Sequence, residues 1–244
     1  MNKYAQVIYE DNHLIIVNKS SGVLVQGDAT GDPILSDMVK QYIKEKYGKP
    51  GDVFLGTVHR IDRPVSGLVV FARTSKALER MNELFRQREV QKTYWAVVKQ
   101  RPAEPKAKLV HWLVKDEARN VTTAYDYEVE GGQKAELSYE VLGKLNDHYL
   151  LEVNPTTGRP HQIRTQLARI GSPIRGDVKY GFVRPNPDGG INLHARRLYF
   201  IHPIKKEPLI CVAGLPENPF WEQFLILDRE RIDKIKDKNL GYIH

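Results

Sequence analysis

A single acid between two arginines is the first feature of this sequence that could do chemistry. Asp62 stands between Arg60 and Arg63 in the stretch HRIDRPVSG, which runs into the apolar segment GLVVFA. Nearby arginines favour the ionised form of a carboxylate, and an ionised, positioned carboxylate can act as a covalent nucleophile. An exposed Asp–Arg ion pair explains the same pattern, so these residues alone leave both interpretations open.

Two further stretches place polar side chains beside core-forming segments. Tyr94 begins the strand-like run of KTYWAVV, where it is either a core aromatic residue or part of a site. Arg164 lies between Ile163 and Leu167 in TGRPHQIRTQLARIG, at the edge of a buried helix face. A guanidinium there needs a partner, which is either a structural carboxylate or Asp62.

Motifs for metals, nucleotides and activated serines are missing from the sequence. It contains no GxGxxG, GxxxxGK[ST], HExxH, CxxC or GxSxG, and its eight histidines form no pair at helical spacing. The single cysteine, Cys211, excludes an intrachain disulfide, and its apolar setting in PLICVAG indicates a buried thiol. We therefore expect neither a metal nor an organic cofactor.

The elements that must position these residues are mainly strands. Helical spacing of apolar residues predicts three helices, in GDPILSDMVKQYIKEKYG, SKALERMNELFRQREV and TGRPHQIRTQLARIG. Asp32 and Pro33 are expected to start the first helix, and Gly171 to end the third. Strand-like runs outnumber these helices and are joined by short turns, which predicts an α+β fold with a largely antiparallel sheet.

Length, composition and charge indicate the broad class of protein. The 244 residues are 41% hydrophobic, which predicts one globular domain over residues 1–244, with a charged helix or tail at about 228–244. Lys and Arg exceed Asp and Glu by 37 to 30, a balance that suits a nucleic-acid partner and also a basic enzyme with a solvated surface. No secretory signal or membrane-spanning run is visible, so we expect a cytoplasmic protein without a membrane partner.

Several long stretches, in order along the chain, resemble the RluA-type pseudouridine synthases. YEDNHLIIVNKSSGVLV is similar to that family's first strand motif, and HRIDRPVSGLVVFA to its HRLDxxTSG motif. KTYWAVV is similar to the K-x-Y segment, and GRPHQIRTQLARIGSPIRGDVKYG to the third motif with its following GD–YG. The resemblance covers nearly the whole chain, although Ser20, Ile61 and Val65 stand where that family commonly has Pro, Leu and Thr.

The resemblance implies an activity, a fold and a division of roles. It implies isomerisation of uridine within RNA to pseudouridine without a cofactor, on a bent, mostly antiparallel mixed sheet flanked by helices and loops. It implies that Asp62 is the nucleophile and that Tyr94 stacks near the target uracil and takes part in proton transfer. It also implies that Arg164 pairs with Asp62, in preference to Arg60 or Arg63, and that Arg60 is associated with the flipped base.

The matched motifs also supply the residues expected to contact the substrate: His59, Arg60, Arg63, His161 and Gln162. Arg63 and Lys76 suit the phosphate backbone, and a base must leave its stack before such chemistry. The expected substrate is a stem-loop of tRNA or rRNA and not DNA, and the DRP triplet is similar to members that act on tRNA. The family's frequent N-terminal RNA-binding module is not visible before Val7, and a monomer is expected.

Two other functions fit parts of the pattern. A non-catalytic RNA-binding or RNA-folding protein could use the same scaffold, although intact Asp62, Tyr94 and Arg164 favour catalysis. A glycosidase or nucleosidase usually needs two opposed carboxylates, and the matched motifs contain one.

Overall fold

Strands dominate the part of the chain that the structure describes. The structure is a computed structural model, and it describes residues 4–27 and 34–228. The predicted helix start at Asp32 and Pro33 and the predicted charged tail from residue 229 onward lie outside the described residues.

The secondary structure confirms the α+β prediction. The strands, in chain order, are β1 (Ala5–Glu10), β2 (Leu14–Lys19), β3 (Gly56–Thr57), β4 (Ser66–Ala72), β5 (Gln91–Val98), β6 (Lys106–Asp116), β7 (Val121–Tyr125), β8 (Gln133–Leu145), β9 (His148–Pro155), β10 (Leu193–Ile201) and β11 (Pro208–Val212). The helices are α1 (Leu35–Lys46), α2 (Ser75–Arg86), α3 (Gln162–Arg169), the 3-10 turn Val178–Tyr180 and α4 (Pro219–Glu222).

The described residues form two compact units. Unit 1 contains residues 4–27, 34–91 and 195–216, and unit 2 contains residues 92–194 and 217–228. The expectation of one domain over residues 1–244 stays a prediction.

The sheet of unit 1 is built around a strand that is buried along its whole length. All seven residues of β4 are buried, which is typical of a strand covered on both faces. The strand β4 pairs antiparallel with β2 and with the short β3, and β2 pairs antiparallel with β1. The strands β10 and β11 form a further antiparallel pair.

The helix α2 covers the core of unit 1. Its N-cap is Thr74, whose hydroxyl oxygen accepts a hydrogen bond from the backbone N–H of Ala77 at 3.2 Å. Ala77 and Met81 are fully buried against the apolar residues of β2, β4 and β10, as helical spacing predicts. The same core contains Cys211, and burial raises the pKa of its thiol to about 12. The prediction of a buried thiol is therefore confirmed.

The sheet of unit 2 is antiparallel in every pairing along the order β5, β9, β8, β6, β7. Tyr94 near the start of β5 lies opposite Val153 of β9, and Val153 lies opposite Tyr139 of β8. The pairing registers of β5 with β9 and of β9 with β8 therefore fix the position of Tyr94 in the sheet.

The helix α3 is shorter than the sequence predicts. Apolar spacing suggests a helix from Thr157, but α3 begins at Gln162, because His161 takes the left-handed conformation with φ of 53°. The predicted stop at Gly171 is confirmed, with φ of 79° and a backbone hydrogen bond from Ser172 N–H to the Leu167 carbonyl at 2.9 Å. Among the described residues, no helix combines the length and apolarity that crossing a bilayer requires.

Candidate active site

Asp62 lies on the loop between β3 and β4. A four-residue turn forms there, because the backbone N–H of Val65 donates to the Asp62 carbonyl at 3.0 Å. Asp62 is half-buried, Arg60 and Arg63 are exposed, and Ile61 and Val65 are buried. The two apolar residues anchor the loop to unit 1 and leave the carboxylate partly accessible.

A buried lysine ties this loop to the end of β2. The ammonium of Lys19 donates to the carbonyls of Ser20, Val23 and Arg63, at 3.0, 2.9 and 3.2 Å. The Arg63 carbonyl also accepts from the Gly22 N–H at 2.8 Å, and the Arg63 Nε donates back to the Gly22 carbonyl at 3.2 Å. The turn after β2 and the Asp62 loop are therefore joined at several points.

Lys19 is also an electrostatic neighbour of Asp62. Its side chain is only 1% exposed, and burial lowers the pKa of Lys19 to about 7, although the negative charge of Asp62 opposes that shift. Three carbonyl acceptors require three N–H donors, which only the ammonium form of lysine supplies. Unit 1 thus brings a buried cation close enough to interact with Asp62, a role that sequence analysis missed.

His59 fastens the start of the same loop. Its Nε2 accepts a hydrogen bond from the backbone N–H of Val70 at 3.1 Å, and its ring stacks on Phe85 of α2 at 4.9 Å between centroids. These contacts hold the residues directly before Asp62. The predicted contact of His59 with the substrate stays a prediction.

Gly67 permits a close approach of two strands beside the loop. Its φ is 114°, and a Cβ added to it would lie 2.4 Å from the carbonyl oxygen and 2.5 Å from the nitrogen of Ala195. Only glycine tolerates both that dihedral angle and that distance. The glycine of HRIDRPVSG therefore fixes where β4 begins relative to β10.

Tyr94 lies in unit 2, near the start of β5. Its neighbours Thr93 and Trp95 are buried, while Tyr94 is half-buried, as expected when side chains alternate along a strand. The Thr93 hydroxyl donates to Asn154 Oδ1 of β9 at 2.9 Å, which holds the strand pair together at this point. Tyr94 is thus an aromatic residue on a rigid element with part of its surface accessible.

Gln162 is bound within the protein. Its Oε1 accepts from the Thr157 hydroxyl at 2.7 Å and from the Arg159 N–H at 3.0 Å, and its Nε2 donates to the Glu136 carbonyl at 3.0 Å. The side chain is 4% exposed. Gln162 therefore fastens the loop before α3 to β8, and its predicted contact with the substrate stays a prediction.

Arg164 has a buried carboxylate partner in unit 2. Its Nε and Nη2 donate to the two carboxylate oxygens of Asp177, at 2.7 and 2.8 Å. Arg164 is 5% and Asp177 is 1% exposed, so this bidentate pair is well shielded from water. Two of the five guanidinium N–H donors are thereby accounted for.

Tyr180 connects Arg164 with His161. The guanidinium carbon of Arg164 lies 4.9 Å from the centre of the Tyr180 ring, within range of a cation–π interaction. The Tyr180 hydroxyl accepts from the Thr122 N–H at 2.9 Å and lies 2.7 Å from His161 Nδ1. Asp177 and Tyr180 belong to the GDVKYG stretch, whose GD–YG pattern was the available signal for both residues.

The predicted site residues fall into two sets. His59, Arg60, Asp62 and Arg63 share one loop of unit 1, whereas Tyr94, His161, Gln162 and Arg164 belong to unit 2. Among the described residues, no cluster of three or more His, Cys, Asp or Glu side chains is arranged to hold a metal ion.

Comparison with known proteins places the chain in one family. The profile described as RNA pseudouridylate synthase matches residues 13–169, well over half of the chain. The chain is 31% identical over 238 residues to a protein from Vibrio cholerae named tRNA pseudouridine synthase C, covering 90% of this chain and 94% of that one. It is 33% identical over 229 residues to a Vibrio vulnificus protein named ribosomal large subunit pseudouridine synthase C, covering 89% and 69%.

A solved structure supports the same relationship. The human protein named RNA pseudouridylate synthase domain containing 4 matches with a TM-score of 0.73 and 25% identity, covering 91% of this chain and 92% of that one. The resemblance seen in the sequence motifs is therefore confirmed by the family profile and by related proteins. The chain belongs to the RNA pseudouridylate synthase family, whose members isomerise uridine in RNA to pseudouridine.

Proposed function

We propose that this chain isomerises uridine in tRNA with Asp62 as the nucleophile. The observation that carries the proposal is that the matched region, residues 13–169, contains every site residue expected from the motifs. The reaction conserves atoms, because the N1–C1′ bond breaks, a C5–C1′ bond forms, C5 loses a proton and N1 gains one. It needs a nucleophile, an enclosed base and a route for that proton.

The position of Asp62 supports its role as the nucleophile. A carboxylate attacks only when it is ionised and held in place. The turn closed by Val65 and the contact of Lys19 with the Arg63 carbonyl hold the backbone of this loop, and the Lys19 ammonium interacts electrostatically with the Asp62 carboxylate. Asp62 is half-buried, which leaves part of the carboxylate for a substrate.

Tyr94 is proposed to enclose the uracil and to help move its proton. Its half-buried ring on β5 offers an aromatic face, and its hydroxyl can both donate and accept a hydrogen bond. An enclosing aromatic wall keeps a detached base from escaping to water during its rotation.

Arg164 is proposed to act together with Asp62. The edge of the guanidinium formed by Nε and Nη2 binds Asp177, and that pairing fixes the plane of the guanidinium. An arginine held in this way offers its remaining N–H groups in one orientation. We infer that these groups stabilise the Asp62 carboxylate, so that Asp177 compensates the buried charge while Arg164 serves the reaction.

We propose that exposed cationic side chains bind the RNA. Arg60 and Arg63 flank Asp62 and are exposed, as is Lys76 at the start of α2. A flipped base leaves a gap in the stack, and unstacking costs a few kcal/mol. We infer that Arg60 occupies that gap, and that Arg63 and Lys76 bind phosphates. The formal charge of +7 favours such a polyanionic partner.

The choice of tRNA rests on similarity to related proteins. The match to the Vibrio cholerae protein named for tRNA spans 94% of that protein, against 69% for the Vibrio vulnificus protein named for ribosomal RNA. Ribosomal RNA is the second candidate, because the identity to the latter protein, 33%, is slightly higher. We further propose that one chain acts alone in the cytoplasm.

Mapping pseudouridine in cells tests the substrate. We expect deletion of the gene to remove pseudouridine from at least one tRNA position, and we expect the intact gene to restore it. The control is a gene carrying Asp62→Asn, which should not restore it. Loss confined to ribosomal RNA would overturn the tRNA assignment, and no loss in either RNA would overturn the proposed function.

A further inference from the structure

Tyr180 contacts two of the proposed site residues and is itself firmly held. Its backbone N–H donates to the Asp177 carbonyl at 3.1 Å, while the Asp177 carboxylate binds Arg164. Its ring faces the Arg164 guanidinium and its hydroxyl reaches His161. One short turn therefore orients both Arg164 and His161.

The partners of the Tyr180 hydroxyl determine where its proton points. The oxygen accepts the N–H of Thr122, so the single hydroxyl proton needs an acceptor of its own. In the described chain the hydroxyl lies 2.7 Å from His161 Nδ1, which accepts that proton in one imidazole tautomer, and the Thr122 side chain is its other hydrogen-bonding neighbour. Burial raises the pKa of Tyr180, so the hydroxyl keeps its proton at neutral pH.

A Tyr180 proton directed at Nδ1 would select the tautomer of His161. A neutral imidazole carries one N–H, and the nitrogen that accepts a hydrogen bond cannot carry it. If Nδ1 accepts from Tyr180, the proton of His161 resides on Nε2. The ring is held further by an edge contact with Tyr180, with centroids 5.7 Å apart at 80°.

The backbone of His161 supports a positioned role. His161 is a non-glycine residue with φ of 53°, a left-handed conformation that is unfavourable for residues with a Cβ. Such strain is found at functional sites, where the surrounding structure maintains it. Here the conformation places the His161 ring directly before α3, at 2.7 Å from the Tyr180 hydroxyl.

We propose that Tyr180 is a positioning residue whose hydroxyl fixes His161 with its proton on Nε2, so that His161 serves the reaction as a hydrogen-bond donor and not as a general base. This proposal rests on the proposed function, because it assigns a role within that site. It assigns the tyrosine of the GD–YG pattern the role of orienting His161.

The wild-type protein gives the first test. Nitrogen-15 NMR of histidine-labelled protein reports which imidazole nitrogen carries the proton, and the His161 signals are identified by their absence in His161→Gln. We expect a protonated Nε2 and a bare Nδ1. A protonated Nδ1 in the wild type overturns the proposal, and this result requires no variant at Tyr180 to fold.

Tyr180→Phe isolates the hydroxyl, because the ring over Arg164 is kept. We expect the His161 tautomer preference to be lost and kcat/KM for RNA to fall about tenfold, the effect typical of one hydrogen bond. Tyr9→Phe is the matched control in unit 1, since it removes a hydroxyl that donates to Asp11 at 2.8 Å, and it should leave kcat/KM unchanged. Wild-type kcat/KM in Tyr180→Phe would contradict the proposal.

Substitutions of His161 separate a donor from a base. Gln carries an amide N–H near the position of Nε2 and cannot act as a base, whereas Leu offers neither function. We expect His161→Gln to retain kcat/KM within about threefold and His161→Leu to lose about tenfold, and equal losses would overturn the donor role. If the wild type forms no pseudouridine, the proposed function fails, while the NMR result still decides the tautomer.

Discussion

At the scale of single residues, the structure of the candidate site depends on the hydrogen-bond acceptors that stabilise its buried cationic side chains. Arg164 and Lys19 are both nearly inaccessible to water. Lys19 uses three backbone carbonyls, and Arg164 uses the carboxylate of Asp177. Of the two partners considered for Arg164 from sequence, the structural carboxylate is therefore confirmed. The pairing of Arg164 with Asp62 stays a prediction.

Removing the charge of Asp177 should damage both stability and activity. In Asp177→Asn the buried guanidinium loses its compensating charge, and breaking a buried ion pair costs about 3–5 kcal/mol. We expect the free energy of unfolding to fall by about that amount in urea titrations. Single-turnover rates should fall as well, because Arg164 is no longer held in one plane.

An exposed ion pair that involves one residue of α3 provides the control. Asp126 binds Arg169 of α3, and both side chains are about half exposed. Exposed pairs contribute little because water and salt screen them, so Asp126→Asn should leave the urea unfolding midpoint close to that of the wild type. An equal effect of the two substitutions would contradict the role assigned to Asp177.

At the scale of elements, the loop between β3 and β4 depends on a glycine at its end. Gly67 has φ of 114° and packs directly against the backbone of Ala195. Gly22 also has positive φ, at 85°, but an added Cβ would meet nothing within 4 Å. Replacing each glycine by alanine therefore distinguishes two effects. At Gly67 the added methyl group would overlap neighbouring atoms, whereas at Gly22 only the dihedral angle would be unfavourable.

Gly67→Ala should destabilise the protein by about 3 kcal/mol or more, because the methyl group overlaps backbone atoms that cannot rotate away. Gly22→Ala should cost about 1 kcal/mol, since only the dihedral angle is unfavourable. Urea unfolding midpoints measure both values. If Gly67→Ala cost no more than Gly22→Ala, the close approach of β4 and β10 would be refuted.

The β1–β2 hairpin carries a second cluster of charges in unit 1. The carboxylate of Asp11 accepts from the Tyr9 hydroxyl and from the backbone N–H groups of His13 and Leu14, each at 2.8 Å. It also binds Lys205 at 2.9 Å. Burial alone would raise the pKa of Asp11, but these partners outweigh it and hold the pKa well below its usual range.

Stability should therefore depend on Asp11 at acid pH. The folded carboxyl binds its proton at lower pH than the unfolded one, so its contribution is complete above about pH 4 and is lost as the pH falls further. Allowing for solvent screening, we expect a loss of about 1 kcal/mol. Unfolding free energies of wild type and Asp11→Asn between pH 5 and pH 2, roughly the range of carboxyl titration, should converge. Parallel curves would disprove this contribution.

At the scale of the whole molecule, patterns that depend on periodicity predicted the structure well. The amphipathic helix α2 and the stop at Gly171 were both predicted, because local spacing and one glycine determine them. The α+β class followed from the same patterns. The start of α3 did not, because the left-handed conformation of His161 has no signature in apolar spacing.

Long-range partners were harder to predict. Arg164 and Asp177 are 13 residues apart and separated by a turn, and Lys19 and Arg63 are 44 residues apart. Neither pair follows from the spacing within one element. The motif resemblance indicated which residues matter, but only the folded contacts show that Asp177 and Tyr180 hold Arg164 and that Lys19 holds the loop of Asp62.

The most direct test of the central claim is the formation of pseudouridine by Asp62→Asn. The pseudouridine content of tRNA is measured after single turnover with wild type and variant, and RNA binding is measured in parallel. We predict that Asp62→Asn forms no pseudouridine while its affinity for tRNA stays within about threefold of the wild type, since the amide cannot attack as a carboxylate does. Pseudouridine formation by Asp62→Asn at the wild-type rate would contradict the account.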